Sequence, residues 1–315
     1  MPPRRKRIAD ERAWLEKHLR PLMAKGREIQ AIDATLPASL PAYEKGYWTG
    51  LKLILVRYYM PGYLNILAPK MKVAYIDLFA GPGLNLIGDA RVPVAGSPLL
   101  PSAMEGTSHQ FDAFILCEKR EDYVRALRMR LGRFVPQERM RIHQGDANEF
   151  VDELPAILED RDIGHSLVFI DPEGLEFRCD ALARLLRSVN CDVIINFPSA
   201  GLVRNLTTGD NATLETVRSF LGLSPTDALP ATEEGAIDWY RNELAGLGKN
   251  ISTEIVVSAG DVPFHYHLIP AVRTTKGGSG WFRILTTAKQ RIERLGGDVV
   301  GIVSAQIDGR QAVLE

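Results

Sequence analysis

The side chains able to do chemistry in this chain collect at the ends of apolar runs. Tyr75-Ile76-Asp77-Leu78-Phe79-Ala80-Gly81-Pro82-Gly83 carries an acid and then breaks into a glycine turn. Glycine at 81 and 83 lets the backbone approach a ligand and reach positive φ at little steric cost. A second run, Phe114-Ile115-Leu116-Cys117-Glu118, ends on a carboxylate, a group that can accept two hydrogen bonds from a ribose diol. Three more ends are polar: Gly145-Asp146-Ala147-Asn148, Asp171-Pro172-Glu173-Gly174 and Asn196-Phe197-Pro198-Ser199. One or two such tips are ordinary turn chemistry, because turns use Asp, Asn, Gly and Pro. Five in series point to a nucleotide-type cofactor pocket. The glycine turn lacks the third glycine of the dinucleotide fingerprint, which disfavours a nicotinamide enzyme. Asp171 and Glu173, two apart, suit either a divalent cation or the orientation of an amine, and Asp146 suits a helix cap as well as a ligand contact.

Elements that alternate between strand and helix must position these tips. The spacing predicts strands at Val73–Leu78, Ala113–Cys117, Arg139–His143, Ser166–Ile170 and Val193–Asn196. Helical patterns lie between them: Val124, Leu127 and Leu131 after Asp122, and Leu182, Leu185, Leu186 and Val189 after a cap at Asp180. Apolar strands separated by amphipathic helices require a doubly wound, mostly parallel α/β sheet covered on both faces. In such a sheet ligands sit beyond the carboxyl ends of the strands. Residues 84–96 contain glycines and a proline and no helical period, so the next helix is expected to start at Ser97-Pro98.

Before the sheet, Leu51, Ile54, Leu55 and Tyr58 fall at helical spacing until Pro61-Gly62 interrupts or ends that helix. Residues 1–45 read as an N-terminal helical extension, helical over Asp10–Leu22 and punctuated by Pro37 and Pro41. Residues 46–315 read as the main domain. Past Gly201 the pattern predicts a loop over Asn205–Asp210, a helix through Ile237, Tyr240 and Leu244, and a hairpin of Glu254–Val257 with His265–Ile269. A helix through Trp281, Ile284, Leu285, Ala288 and Ile292 then precedes a last strand at Val299–Val303.

The chain has 315 residues, 45% hydrophobic and 24% charged, which excludes disordered and fibrous classes. Lys plus Arg number 38 against 39 Asp plus Glu, so no overall charge marks a nucleic-acid binder. Arg4, Arg5, Lys6 and Arg7 form a short basic tail that is solvated or touches phosphates. No apolar stretch approaches the roughly 18 residues of a membrane span, and the expected location is cytoplasmic. Three scattered cysteines, Cys117, Cys179 and Cys191, exclude a disulfide framework and a paired-cysteine metal site. His265 and His267 alternate on one face of a strand with no third ligand nearby in sequence, so no metal site is expected.

Taken together, the Asp77 to Gly83 turn, Gly96-Ser97-Pro98-Leu99, Phe169-Ile170-Asp171-Pro172-Glu173-Gly174-Leu175 and Asp192-Val193-Ile194-Ile195-Asn196-Phe197-Pro198 resemble the three-Cys-motif partner protein family. That family is similar to class I S-adenosylmethionine-dependent methyltransferases, and the resemblance spans residues 46 to 300. It implies a seven-stranded Rossmann-like methyltransferase sheet with a terminal antiparallel hairpin. It also implies S-adenosylmethionine as cofactor and a partner protein that carries three cysteines, and the expected function is methyl transfer to a nucleic acid. An alternative role is a scaffold subunit for that partner. By the same resemblance Asp77, Phe79, Gly81 and Gly83 form the cofactor-binding turn, Glu118 holds the ribose, and Asp146 the adenine amine, with Ala147 against the ring. Asp171 would touch cofactor and acceptor, with Pro172, Glu173 and Asn196 at the acceptor end and Ser199 beside them. Enzymes that methylate amines of nucleic acids keep an Asp/Asn-Pro-Pro-aromatic tetrad where this chain has Asp171-Pro172-Glu173-Gly174. Phe177 or Phe197 would then have to supply the stacking face.

Overall fold

Alternating burial along the central strands sets the architecture. On strand Lys72–Asp77, Tyr75 faces one apolar cluster and Ile76 the other. Leu116 and Ile115, and Phe169 and Val168, divide in the same way on neighbouring strands. A sheet with two apolar faces needs helices on both, and it has them. The computed structural model describes residues 4–36, 38–260, 262–274 and 282–309. Pro37, Trp281 and the side chains of the basic tail Arg4–Arg7 lie outside the described residues.

Strands β1 (Tyr43–Lys45), β3 (Leu84–Ile87) and β4 (Val92–Ala95) form a small sheet in the order β1-β3-β4. The main sheet takes β2 (Lys72–Asp77), β5 (Ala113–Glu118), β6 (Met140–Gln144), β7 (Ile163–Ile170) and β8 (Cys191–Phe197) as a parallel core. To these it adds β9 (Ile251–Ser252), β10 (Ile255–Ser258) and β11 (His265–Val272). The order is β10-β11-β8-β7-β2-β5-β6, with β9 also on β11. Strand β11 runs antiparallel to β8, β9 and β10, so the eight-stranded sheet is mixed and not the seven-stranded arrangement expected. Chain order reverses between β2 and β7, which opens a crevice at their carboxyl ends.

Helix α1 (Arg4–Asp33) buries Leu15, Leu19, Leu22, Met23 and Ile29 in the first core cluster, against β4 and the last helix. Helix α2 (Thr49–Leu67) continues through Pro61 instead of ending there. Tyr59, Met60, Tyr63 and Leu64 on either side of the proline are buried, and that packing outweighs the missing backbone donor.

Residues 84–96, which have no helical period, pair as the antiparallel hairpin of β3 and β4. Four other expectations are corrected. The segment at Ser97-Pro98 is a short 3-10 turn, Ser97–Ala103, capped at Gly96. Helix Cys179–Ser188 is capped at Arg178, with Asp180 inside its first turn, and helix Ser199–Thr208 occupies most of the loop expected at Asn205–Asp210. Val299–Val303 is not a strand but lies in helix Gly297–Ile307, where Val300 and Val303 point into the core three residues apart.

Candidate functional site

The turn after β2 is where the backbone itself makes the site. Gly81 and Gly83 both take left-handed φ, +61° and +83°. A Cβ on Gly83 would stand 3.2 Å from Leu99 Cδ1, whereas one on Gly81 would meet nothing closer than Tyr43 Cδ1 at 3.7 Å, on the open side of the turn. The turn is tied down from three directions. The Gly81 amide donates to Glu118 Oε2 at 2.8 Å, the Gly83 carbonyl accepts from the Gly96 amide at 2.9 Å, and the Pro82 carbonyl accepts from Arg130 Nη1 at 2.6 Å. Arg130 is fully buried and also grips both carboxylate oxygens of Asp33 at the end of α1 and the Pro41 carbonyl. Its guanidinium therefore joins the glycine turn to the N-terminal segment.

Glu118, at the tip of β5, is oriented by two backbone donors: Gly81 on Oε2 and the Arg120 amide on Oε1 at 2.8 Å. Each oxygen keeps a lone pair for a ligand hydroxyl. It faces a cavity of about 260 Å³ whose walls include Phe79, Gly81, Asp146, Ala147, Asp171 and Glu173. Asp146 caps the helix Ala147–Phe150, its Oδ1 accepting from the Asn148 backbone and side chain at 2.9 and 2.8 Å. Burial pushes the Asp146 carboxyl up, and the bonds from Asn148 and Lys119 outweigh it, leaving the acid below its ordinary range. Cap and pocket wall are thus the same residue.

A second cavity of about 130 Å³ shares Tyr43, Phe79, Gly81, Asp171 and Glu173 with the first and extends inward to Gly83, Lys52, Pro172 and Asn196. Asp171 is the hinge between the two. Its carboxylate pairs with Lys52 Nζ at 2.6 Å and accepts from Asn196 Nδ2 at 2.8 Å. Trp48, Phe264 and Tyr266 make the aromatic wall of this inner chamber.

Glu173 does not pair with Asp171; it turns to Lys45 at 3.2 Å, and Glu176 holds the loop by accepting from the Glu173 and Gly174 amides at 2.7 Å each. Burial, then the charge of Lys52, pulls the Lys45 ammonium down to about 8. Among the described residues no group of three His, Cys, Asp or Glu side chains is placed to hold a metal. His265 pairs with Glu233 at 2.7 Å and His267 Nδ1 with Ser199 Oγ at 2.9 Å. Ser199 is fully buried there and lines neither chamber, so the acceptor contact expected of it is not made. Neither Phe177 nor Phe197 supplies a stacking face: both are buried in the second core cluster, Phe197 against Phe220 and Tyr240.

Asp77 lies beneath the turn and lines neither chamber. It is fully buried, and its Oδ1 accepts from the Phe79 amide at 3.2 Å. Burial raises its carboxyl from 3.8 to about 7 against the opposing bonds from Ser97 and Phe79. With the folded pKa above the unfolded one, the acid's contribution to stability is whole below about pH 4 and is lost as pH rises through about 7. Asp77→Asn, which imitates the protonated acid, is expected to stabilise the protein by about 2–4 kcal/mol at pH 8 and by less than half of that at pH 5. Thermal melts at the two pH values check this; an equal effect at both contradicts it.

Lys52, Lys45 and Tyr43 were not singled out by sequence, although Lys52 leaves a signal: a lone cation inside the apolar run Leu51 to Val56. Lys45 and Tyr43 sit on a strand of three residues, too short to show a period.

No family model matches the chain, and no curated protein matches it. Among solved structures, an O-methyltransferase from Bacillus cereus in complex with SAH is 12% identical, with 79% of this chain and 90% of that one covered and a TM-score of 0.44. A protein from Legionella pneumophila is 13% identical over 76% and 91%, with a TM-score of 0.43. Trm1 from Pyrococcus horikoshii with S-adenosyl-L-methionine is 16% identical over 71% of this chain and 56% of that one, with a TM-score of 0.38. At such identities and scores these likenesses assign no residue a role.

Proposed function

We propose that this chain binds S-adenosylmethionine and transfers its methyl group to a nucleic acid. The observation that carries the reading is the pair of joined chambers at the switch point, one facing the fixed carboxylate of Glu118 and the other the Lys52–Asp171–Asn196 cluster. The residues fit the cofactor. Glu118 keeps acceptor capacity for two ribose hydroxyls, and Asp146 Oδ2 for the adenine amine, with Ala147 beside the ring. The open side of Gly81 admits close approach.

When bound, the cofactor brings an activated sulfonium methyl group, so the chain's own task is alignment and desolvation. Lys52 fixes Asp171, Asp171 and Asn196 face the acceptor, and the aromatic wall offers a planar ring a stacking surface in place of the missing tetrad aromatic. Membership of the three-Cys-motif partner family, with a cysteine-bearing partner, belongs to this reading, as does a cytoplasmic location.

A labelled-methyl transfer assay on total nucleic acid and on lysate protein tests the reading. Label in the nucleic acid is the expected result. Cofactor binding with no transfer to either pool would instead favour the scaffold role, and label in protein alone would remove the nucleic acid.

A further inference from the structure

Resting on the nucleic-acid reading above, we infer that the outward face of the helix Glu121–Leu131 is where the sugar-phosphate backbone of that nucleic acid docks, through Arg125, Arg128 and Arg133. The chain as a whole carries a net charge of -1, yet residues 119–141 hold eight Lys and Arg against three Asp and Glu. Arg130 turns inward to Asp33 at 2.6 Å, and Arg120 is held by Asp122 at 2.7 Å. Arg125, Arg128 and Arg133 are exposed, and among the described residues none of the three guanidinium groups meets a carboxylate.

Arginines of two other surface helices show the alternative. Arg184 on the helix Cys179–Ser188 meets Asp152 at 2.8 Å and also Asp180, and Arg241 on the helix Glu233–Gly246 meets Glu254 at 2.8 Å. Arg125 and Arg128 have no such acid, and like charges three apart on one helix repel, so the pair costs the helix stability until an anion lies across it. The helix dipole favours Arg128 in the last turn but does nothing for Arg125 near the middle.

The cationic face leads to the crevice. The helix is about 16 Å long, and at its amino end Lys119, Arg120 and Tyr123 line the outer chamber. A strand lying along it passes the rim of the space assigned to the methyl donor. Nucleic acid suits this surface better than an acidic protein does. Protein interfaces form round an apolar core depleted in charge, and on this helix Met129, 38% exposed, is the one large hydrophobic side chain in the open among the described residues. Interfaces with nucleic acids are polar and strongly positive, with arginine forks on phosphate oxygens.

Fluorescence anisotropy of labelled single-stranded DNA and RNA oligomers, titrated with the full chain from about 50 to 200 mM salt, tests the assignment. The triple variant Arg125→Gln, Arg128→Gln, Arg133→Gln should bind at least about tenfold more weakly at the low-salt end and flatten the slope of log K against log salt by about two, as three lost phosphate contacts require. Its melting temperature should match wild type, and its S-adenosylmethionine affinity should stay within about twofold. A control that removes the same charge from exposed positions elsewhere, Lys17→Gln, Lys70→Gln, Arg187→Gln, should stay within about threefold of wild type. A triple variant that binds as tightly as wild type, or a control that loses as much, would overturn the docking face alone and leave the nucleic-acid reading standing. Wild type that binds neither oligomer would overturn both. Poly-glutamate bound more tightly than the oligomers, and released by the triple variant, would overturn the assignment in favour of an acidic protein.

Discussion

Arg130→Met is expected to destabilise the protein by about 3–5 kcal/mol and to lower the melting temperature by about 10 °C. The guanidinium is fully buried and serves three clients: both oxygens of Asp33, the Pro41 carbonyl at 2.8 Å and the Pro82 carbonyl at 2.6 Å. Methionine fills much of the volume yet leaves a carboxylate without its cation and two carbonyls without donors, and stranding one half of such a pair costs far more than an exposed ion pair contributes. Arg130→Lys should recover little of the loss, because one ammonium cannot span the fork that meets Asp33 side-on while reaching two carbonyls. Because Pro82 sits between Gly81 and Gly83, cofactor affinity should fall in the same variant. Denaturant melts that place Arg130→Met within 1 kcal/mol of wild type would refute the clamp.

Lys52→Met carries the second large effect. Lys52 and Asp171 are both largely buried, and the ammonium touches both carboxylate oxygens, at 2.7 and 2.6 Å. Removing the cation should destabilise the chain by about 2–4 kcal/mol at pH 7, and Asp171→Asn in the same chain should restore at least half of that, because the neutral amide no longer needs a counter-ion. The double variant is nevertheless expected to transfer methyl groups at least about a hundredfold more slowly than wild type, since the acceptor contacts go with the charge. A double-mutant cycle read by denaturant melts gives the coupling; a coupling near zero would mean that the contact is not an ion pair in solution.

How far these features were legible in the sequence depended on whether they were local. β2, β5, β7 and β8 lie in apolar runs whose β-branched and aromatic residues can only be buried strands, and their positions were predicted to within a few residues. Their polar tips followed, because the chain turns there. The topology that makes Glu118 and Asp171 share a wall is long-range, yet alternation of strands and helices implied it. Pairings made by short or irregular segments were hidden. β1, β3 and β4 have three or four residues each and no readable period, so the sheet that brings Tyr43 and Lys45 to the site left no trace. Val299–Val303 shows the opposite failure. Its β-branched run suggested a strand, but burial against α1 and α2 overrode propensity and made a helix. The aromatic wall was missed because Trp48 and Phe264 lie far apart in the chain, and only tertiary packing brings their rings to 4.8 Å, tilted by 43°.

The most direct measurement is calorimetric titration of the full chain with S-adenosylmethionine and with NAD, repeated on Glu118→Ala. Micromolar binding of S-adenosylmethionine, none of NAD, and a loss of more than about tenfold in the variant, roughly 1.4 kcal/mol, are the predicted results. Absence of S-adenosylmethionine binding, preference for NAD, or a Glu118→Ala protein that binds as tightly as wild type would contradict the assignment of the crevice.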